Sequence, residues 1–307
     1  MNRKEIIELL EIENGSKDFY ELIRESNNKT REEFNNQAYI FSQIGINASP
    51  CSGNCKFCAL AENNYLLDNE FEFDTELVVE KARLSFEEGI DDLFIMTTAS
   101  YPLKNLLNIA NTVSEAMPKG KRLVANSGDM SYETALNLKD AGYTGSYHIK
   151  RLREGIDTEI PVSQRIDTIE AIQKSGLELY YCLEPIGPEH TLDELAEEIL
   201  FARDLKVKAM AVMRRIAVPG TKLEKLGQIS KLQLIKIAAV TRLASSPTRC
   251  MNAHETVEGS LLAGVNQLYA EAGSNPRDDV IETSNNRGLS IKDVRTMLKE
   301  YEFNITS

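Results

Sequence analysis

The chain has 307 residues, 42% of them hydrophobic, and a formal net charge of −12. That length is long for one ordinary domain but normal for an α/β barrel, which runs to about 250 residues or more. The acidic balance argues against nucleic acid, whose phosphates call for basic patches, and no run of about 20 apolar residues offers a membrane span.

Residues 3–35 read as two charged helices with apolar stripes, Ile6, Leu9, Leu10 and then Phe19, Leu22, Ile23. They are expected to form a helical cap (1–35) on the main domain (36–307), or a contact between the two subunits of a homodimer. Met1-Asn2-Arg3-Lys4-Glu5 opens the first of these helices and is no apolar signal segment. Beyond residue 36, short apolar strands alternate with helical patterns, the signature of βαβ units and a parallel sheet. Strands are predicted at 38–47, 92–96, 122–125, 145–149, 178–183, 209–214, 248–251 and 267–271. Helices are predicted near 75–88, 104–117, 131–141, 163–175, 192–204, 230–243 and 255–264, with a last one near 290–301. An open doubly wound sheet usually stops at about five to seven strands. Eight in strict alternation predict an α/β fold of the (β/α)8 barrel type, whose chemistry sits at the C-terminal ends of the strands.

Just after the first predicted strand comes Cys51-Ser52-Gly53-Asn54-Cys55-Lys56-Phe57-Cys58, a C-x3-C-x2-C spacing. Three thiolates on one loop are one fewer than the four that usually hold an iron–sulfur cube or a structural zinc. A cube held by three leaves one iron open to a ligand. A zinc site would need a second close pair of donors. None exists, and His148, His190 and His254 are all distant in sequence. Clustered buried thiols are the other bland reading, rare in a polar, glycine-containing stretch. A non-catalytic metal-binding barrel therefore stays open as the third reading. Five cysteines with three in a metal loop suit a reducing cytoplasm better than a disulfide framework.

The cysteine loop and the pattern after it resemble the radical S-adenosylmethionine (SAM) superfamily, in its biotin synthase-like branch, over residues from 38 to about 300. Ile186-Gly187-Pro188-Glu189 follows the fifth strand, Val218-Pro219-Gly220-Thr221-Lys222-Leu223 the sixth, and Ala263-Gly264-Val265-Asn266 precedes the eighth. Each is weak alone, but their order at barrel spacing is specific. The resemblance implies that Cys51, Cys55 and Cys58 ligate a [4Fe–4S] cluster whose open iron chelates SAM. It implies that Glu154 takes the SAM ribose hydroxyls, that Arg165 pairs with its carboxylate, and that Ile186 and Val218 line the cofactor. The Gly-Gly-Glu clamp of many relatives is replaced by Met96-Thr97-Thr98-Ala99-Ser100.

The reaction implied by the resemblance runs through a 5′-deoxyadenosyl radical that abstracts hydrogen from an unactivated carbon of a small-molecule or acyl-carrying substrate. A one-electron donor such as flavodoxin or ferredoxin would drive it. Sulfur insertion into an alkyl chain is the first expectation; carbon-skeleton rearrangement or metallocofactor maturation, with no sulfur donor, is the second. The discriminating residues are Cys182, which matches a fifth-strand auxiliary-cluster ligand of the family, and Cys250 and His254, which together could rebuild such a site. The alternative is that both cysteines are inert core thiols. Lys150, Arg151, Glu184 and Arg214 are candidate substrate residues, although Lys150 and Arg151 cannot both face inward, because strand side chains alternate.

Overall fold

The computed structural model describes residues 1–305. Eight parallel strands close into a barrel: β1 (Gln37–Gly45), β2 (Asp92–Met96), β3 (Arg122–Asn126), β4 (Gly145–Tyr147), β5 (Glu178–Ile186), β6 (Ala209–Arg214), β7 (Cys250–His254) and β8 (Gln267–Gly273). The seam is the pairing of β8 with β1, from Tyr39 opposite Gln267 to Gly45 opposite Gly273. At its top the two backbones touch. A Cβ on Gly45 would stand 1.8 Å from the Ser274 carbonyl oxygen, and Gly273 has φ +75° with the Gly45 carbonyl 2.1 Å from where its Cβ would be. Only glycine fits either position.

Helices follow the strands on the outside: α3 (Thr75–Glu87), α4 (Leu103–Ala116), α5 (Tyr132–Asp140), α6 (Val162–Ser175), α7 (Leu192–Asp204), α8 (Lys231–Ala244) and α9 (Ile291–Glu300). Serine and threonine begin several of them. Ser131, Ser230 and Ser290 each accept a backbone N–H three residues on, and Thr191 forms a reciprocal capping box with Glu194. The helix predicted at 255–264 is instead a short 3-10 segment, Glu258–Ala263. Twelve residues separate β7 from β8, the lower limit for such a crossover, and they include Gly259 and Gly264, which disfavour a longer helix.

The two N-terminal helices, α1 (Arg3–Glu11) and α2 (Lys17–Glu33), lie against this outer ring. α1 packs on α7 and α8; α2 packs on α8 and the 3-10 segment. Buried polar contacts tie α2 down: Ser26 Oγ and Thr30 Oγ1 donate to the carbonyls of Ala263 and Gly264, at 2.8 and 2.7 Å. Arg242 of α8, fully buried, donates to Thr30 Oγ1 at 2.7 Å and pairs with Glu33.

The lower barrel is filled by rings. Phe94 packs against Phe41, Tyr180 and Tyr269 with centroids 5.3, 5.3 and 5.0 Å apart. Beneath them, buried Asp92 accepts from Tyr180 Oη at 2.9 Å and pairs with Arg249. This plug forces any ligand to enter from the C-terminal face, as barrels of this kind require.

Candidate active site at the C-terminal mouth

Above the plug lies a cavity of about 150 Å3 bounded by the ends of β1 to β5, β7 and β8. Cys51, Cys55 and Cys58 all line it. Their loop is pinned from several sides. Cys51 N donates to Leu60 O at 2.8 Å, Lys56 N to Asp157 O at 2.9 Å, and Leu223 N to Lys56 O at 3.1 Å. Asn54, at φ +46°, donates its side-chain amide to Glu159 at 2.7 Å. Loops following three different strands thus fix the position of the three thiols before anything binds. Leu60 N donates to Cys58 Sγ at 3.3 Å, a bond that stabilises negative charge on the sulfur. A small apolar cluster, Ala48, Ala59, Leu60, Leu67 and Val218, packs over Cys58. Burial pushes the Cys55 and Cys58 thiols up from their ordinary values, so positive charge must arrive with a ligand for both to ionise.

The spacing of these thiols says what they fit. Donors to one metal ion, with bonds of about 2.0–2.3 Å, cannot stand more than about 4.6 Å apart. Among the described residues the three loop sulfurs do not gather within 4.8 Å of one another. Sulfurs held on different irons of a cube stand farther apart, so the arrangement fits a cluster and not a zinc ion.

Arg165 reaches the cavity wall from α6. Its guanidinium is held by Glu154 Oε2 at 3.0 Å and Asp129 Oδ1 at 3.1 Å, all three nearly buried. Glu154 does not reach the cavity: its carboxylate accepts from Arg151 N and Arg165 Nε, both at 3.0 Å, and its side chain is 1% exposed. The expected ribose contact therefore requires Glu154 to exchange partners. Asp129, which no sequence motif marks, also lies 3.0 Å from His148 Nε2. Burial alone would raise its carboxyl, but the His148 bond and the Arg165 charge outweigh that and hold it at about 2. Thr97, Thr98 and Ala99, which stand in place of the Gly-Gly-Glu clamp, line the cavity. Ile186 is buried in the main core, and Val218 lies in the apolar cover over Cys58; neither lines the cavity.

The four basic and acidic substrate candidates separate. Arg151 and Glu184 face the cavity, with Arg151 Nε 3.7 Å from Glu184 Oε1. Lys150 points the other way, into an ion pair with Glu198 of α7 and over the Phe201 ring at 4.8 Å. Lys150 is scaffold; both residues lie in the loop after β4, which turns their side chains to opposite sides. Arg214 donates to Ile229 O at 3.2 Å and lines a second chamber of about 430 Å3, which meets the first at Gln43, His254 and Arg277. Arg277, also unforeseen, pairs there with Glu255 and with Glu271, the latter at 2.9 Å.

Cys182 and His254 come together; Cys250 does not join them. Register places Cys182 level with Ala211 and Asn252, and Cys250 level with Ala209, two residues lower. Cys250 therefore sits beside the Asp92–Arg249 pair, at the level of Tyr180, with the aromatic layer around it. Cys250 lies outside the group of Cys182, Glu184 and His254, whose donor atoms stand within 4.8 Å of one another.

No protein-family model matches the chain. Curated relatives do. Biotin synthase of Clostridioides difficile is 25% identical over 252 residues, covering 78% of this chain and 76% of the relative. Biotin synthase of Chlorobaculum tepidum is 28% identical over 235 residues, covering 72% and 69%. The chain is thus similar to the biotin synthase-like branch of the radical SAM superfamily. It is a radical SAM enzyme by the same kinship. Among solved structures, methylornithine synthase (PylB) superposes with TM-score 0.83 at 18% identity, covering 100% of this chain and 94% of that one. The [FeFe]-hydrogenase maturase HydG of Carboxydothermus hydrogenoformans gives 0.82 at 15% identity, covering 100% and 76%. At such identities these two establish the barrel fold alone.

Proposed function

We propose that this enzyme reductively cleaves SAM at a [4Fe–4S] cluster held by Cys51, Cys55 and Cys58, and abstracts a hydrogen atom from a substrate carbon in the barrel lumen. The observation that carries this is the single cavity whose wall holds all three thiols and whose floor is the polar lumen around Tyr147, Glu184 and His254. When bound, cluster and SAM together supply a 5′-deoxyadenosyl radical, chemistry no side chain can perform. The protein's part is placement and exclusion. Arg165, fixed by two carboxylates, offers guanidinium hydrogen bonds to an α-carboxylate. The Thr97–Ala99 segment and Asn126 supply further polar contacts on the same wall. Leu60 and its apolar neighbours shield the sulfur end from water. Arg151 and Arg277 give the lumen the positive charge to hold an acidic or polar small substrate. A one-electron donor such as flavodoxin or ferredoxin completes the reaction. No helix among the described residues is long and apolar enough to cross a membrane.

Sulfur insertion, the step implied by kinship with biotin synthase, would need a sulfur donor on Cys182. A specific observation favours the second reading, rearrangement or maturation chemistry: neither Cys182 nor Cys250 lines the cavity. Anaerobic reconstitution followed by dithionite and SAM tests the core proposal. Methionine and 5′-deoxyadenosine should appear together, and neither should form with Cys55→Ala. Intact SAM in the presence of about four irons per chain would overturn it.

A further inference from the structure

Besides the loop thiols, a second donor set faces the same lumen. Cys182 and Glu184 stand two residues apart on β5, on the same face of the strand. His254 ends β7 opposite them. One ligand atom from each lies within 4.8 Å of both others. The register of β5 shifts between Leu183 and Ile186, where a strand irregularity re-aims side chains.

The surroundings are those of a ligand set more than of an ordinary polar core. The His254 ring is stacked beside Tyr147 at 5.8 Å and stands edge-on to Tyr269 at 4.7 Å. These rings fix its plane but give its nitrogens no hydrogen bond. Glu184 accepts a hydrogen bond on Oε2 from Tyr147 Oη at 3.0 Å and has Arg151 Nε 3.7 Å from Oε1, beyond hydrogen-bond distance, which leaves lone pairs on both oxygens. Tyr147 is thus placed to orient the carboxylate from behind, as outer-shell groups do at metal sites. Glu184 and His254 both line the cavity, so the fourth position of a tetrahedral site would open to it. The other close donor set among the described residues, Asp157, Glu189 and His190, lacks these features: both Glu189 oxygens are taken by Arg215, and Asp157 pairs with Lys56.

We infer that Cys182, Glu184 and His254 bind one divalent transition-metal ion, with an open coordination position facing the lumen. A thiolate, an imidazole and a carboxylate suit zinc, ferrous iron or cobalt, and exclude magnesium or calcium, which take oxygen. Three protein ligands with one position free is the pattern of a site that receives a substrate atom or water. The inference is independent of whether the loop thiols hold a cluster.

The test uses the full-length chain with Cys51, Cys55 and Cys58 replaced by serine, titrated anaerobically with Co2+. About one cobalt should bind per chain, with thiolate-to-cobalt charge-transfer absorption. Cys182→Ser should abolish that absorption, and Tyr147→Phe should weaken binding about tenfold. Absent absorption, or absorption that survives Cys182→Ser, overturns the inference. If circular dichroism shows the loop variant unfolded, metal and sulfide analysis of the reconstituted chain decides instead. One added metal without added sulfide, lost in Cys182→Ser, supports a single ion. Equal totals in both proteins, or extra sulfide lost together with iron, overturn it. Failure of SAM cleavage alone would touch the proposed function and leave this site standing.

Discussion

Two donor sets meet one cavity in this barrel and are built in opposite ways. The three loop thiols are contiguous in sequence, spread too far for one ion, and held by backbone hydrogen bonds to loops after other strands. Cys182, Glu184 and His254 are drawn from two strands 70 residues apart, lie within 4.8 Å of one another, and are held by side-chain packing against Tyr147 and Tyr269. A short motif can specify a site only when its own loop supplies the donors. A site assembled across a barrel is specified by the register of the strands, which no local spacing carries.

The strongest way to break this contrast is Cys55→Ala. It should lower iron by about four per chain and abolish 5′-deoxyadenosine formation, while leaving ion binding by the lumen set unchanged. Iron analysis and product chromatography on one sample check both halves. Next in size is Arg165→Met, which leaves Glu154 and Asp129 as uncompensated buried carboxylates. Removing one partner of a buried ion pair costs about 3–5 kcal/mol, read as a lower urea midpoint. Tyr147→Phe should cost only about 1 kcal/mol for one hydrogen bond, with the cluster's iron content unaltered. A fall in iron with that variant would show the two sets to be coupled.

Much of the barrel was legible because βα alternation is a local signal. The second and sixth strands fall on their predicted residues, 92–96 and 209–214. The 3-10 segment before β8 was not, since a glycine-bounded apolar stretch looks helical until the length of the crossover is counted. The cysteine loop was legible as a set of three clustered donors, because its spacing is local. Lys150 and Arg151 lie just past the end of β4, in a loop where strand alternation does not apply, so the sequence could not say which would face the cavity. Cys250 and His254 share a face of β7, but their heights relative to Cys182 depend on the stagger of the barrel. Asp129 and Arg277 carry no motif; they become visible only when Arg165 and Glu271 are seen to need partners.

A further expected effect concerns pH. Asp129 keeps its charge down to about 2, below the ordinary 3.8 of an unfolded chain. A carboxyl lowered in this way adds stability above its unfolded value and loses it as pH falls through the window from about 4 to about 2. The urea midpoint should therefore decline over that window, and Asp129→Asn should flatten the decline. An unchanged slope would place the acid sensitivity elsewhere, outside the Arg165 network.

The contacts of α2 bear on how the chain is made. Ser26 and Thr30 find their buried acceptors 237 and 234 residues downstream, and Glu33 meets Arg242 209 residues later. During synthesis the second helix emerges early with an apolar stripe and no partner, and it stays so until most of the barrel has left the ribosome. Contacts so distant in sequence make closure slow to reach and leave that stripe exposed in the meantime. The chain's opening segment is thus among the last to settle, and its docking reports that the ring behind it has closed.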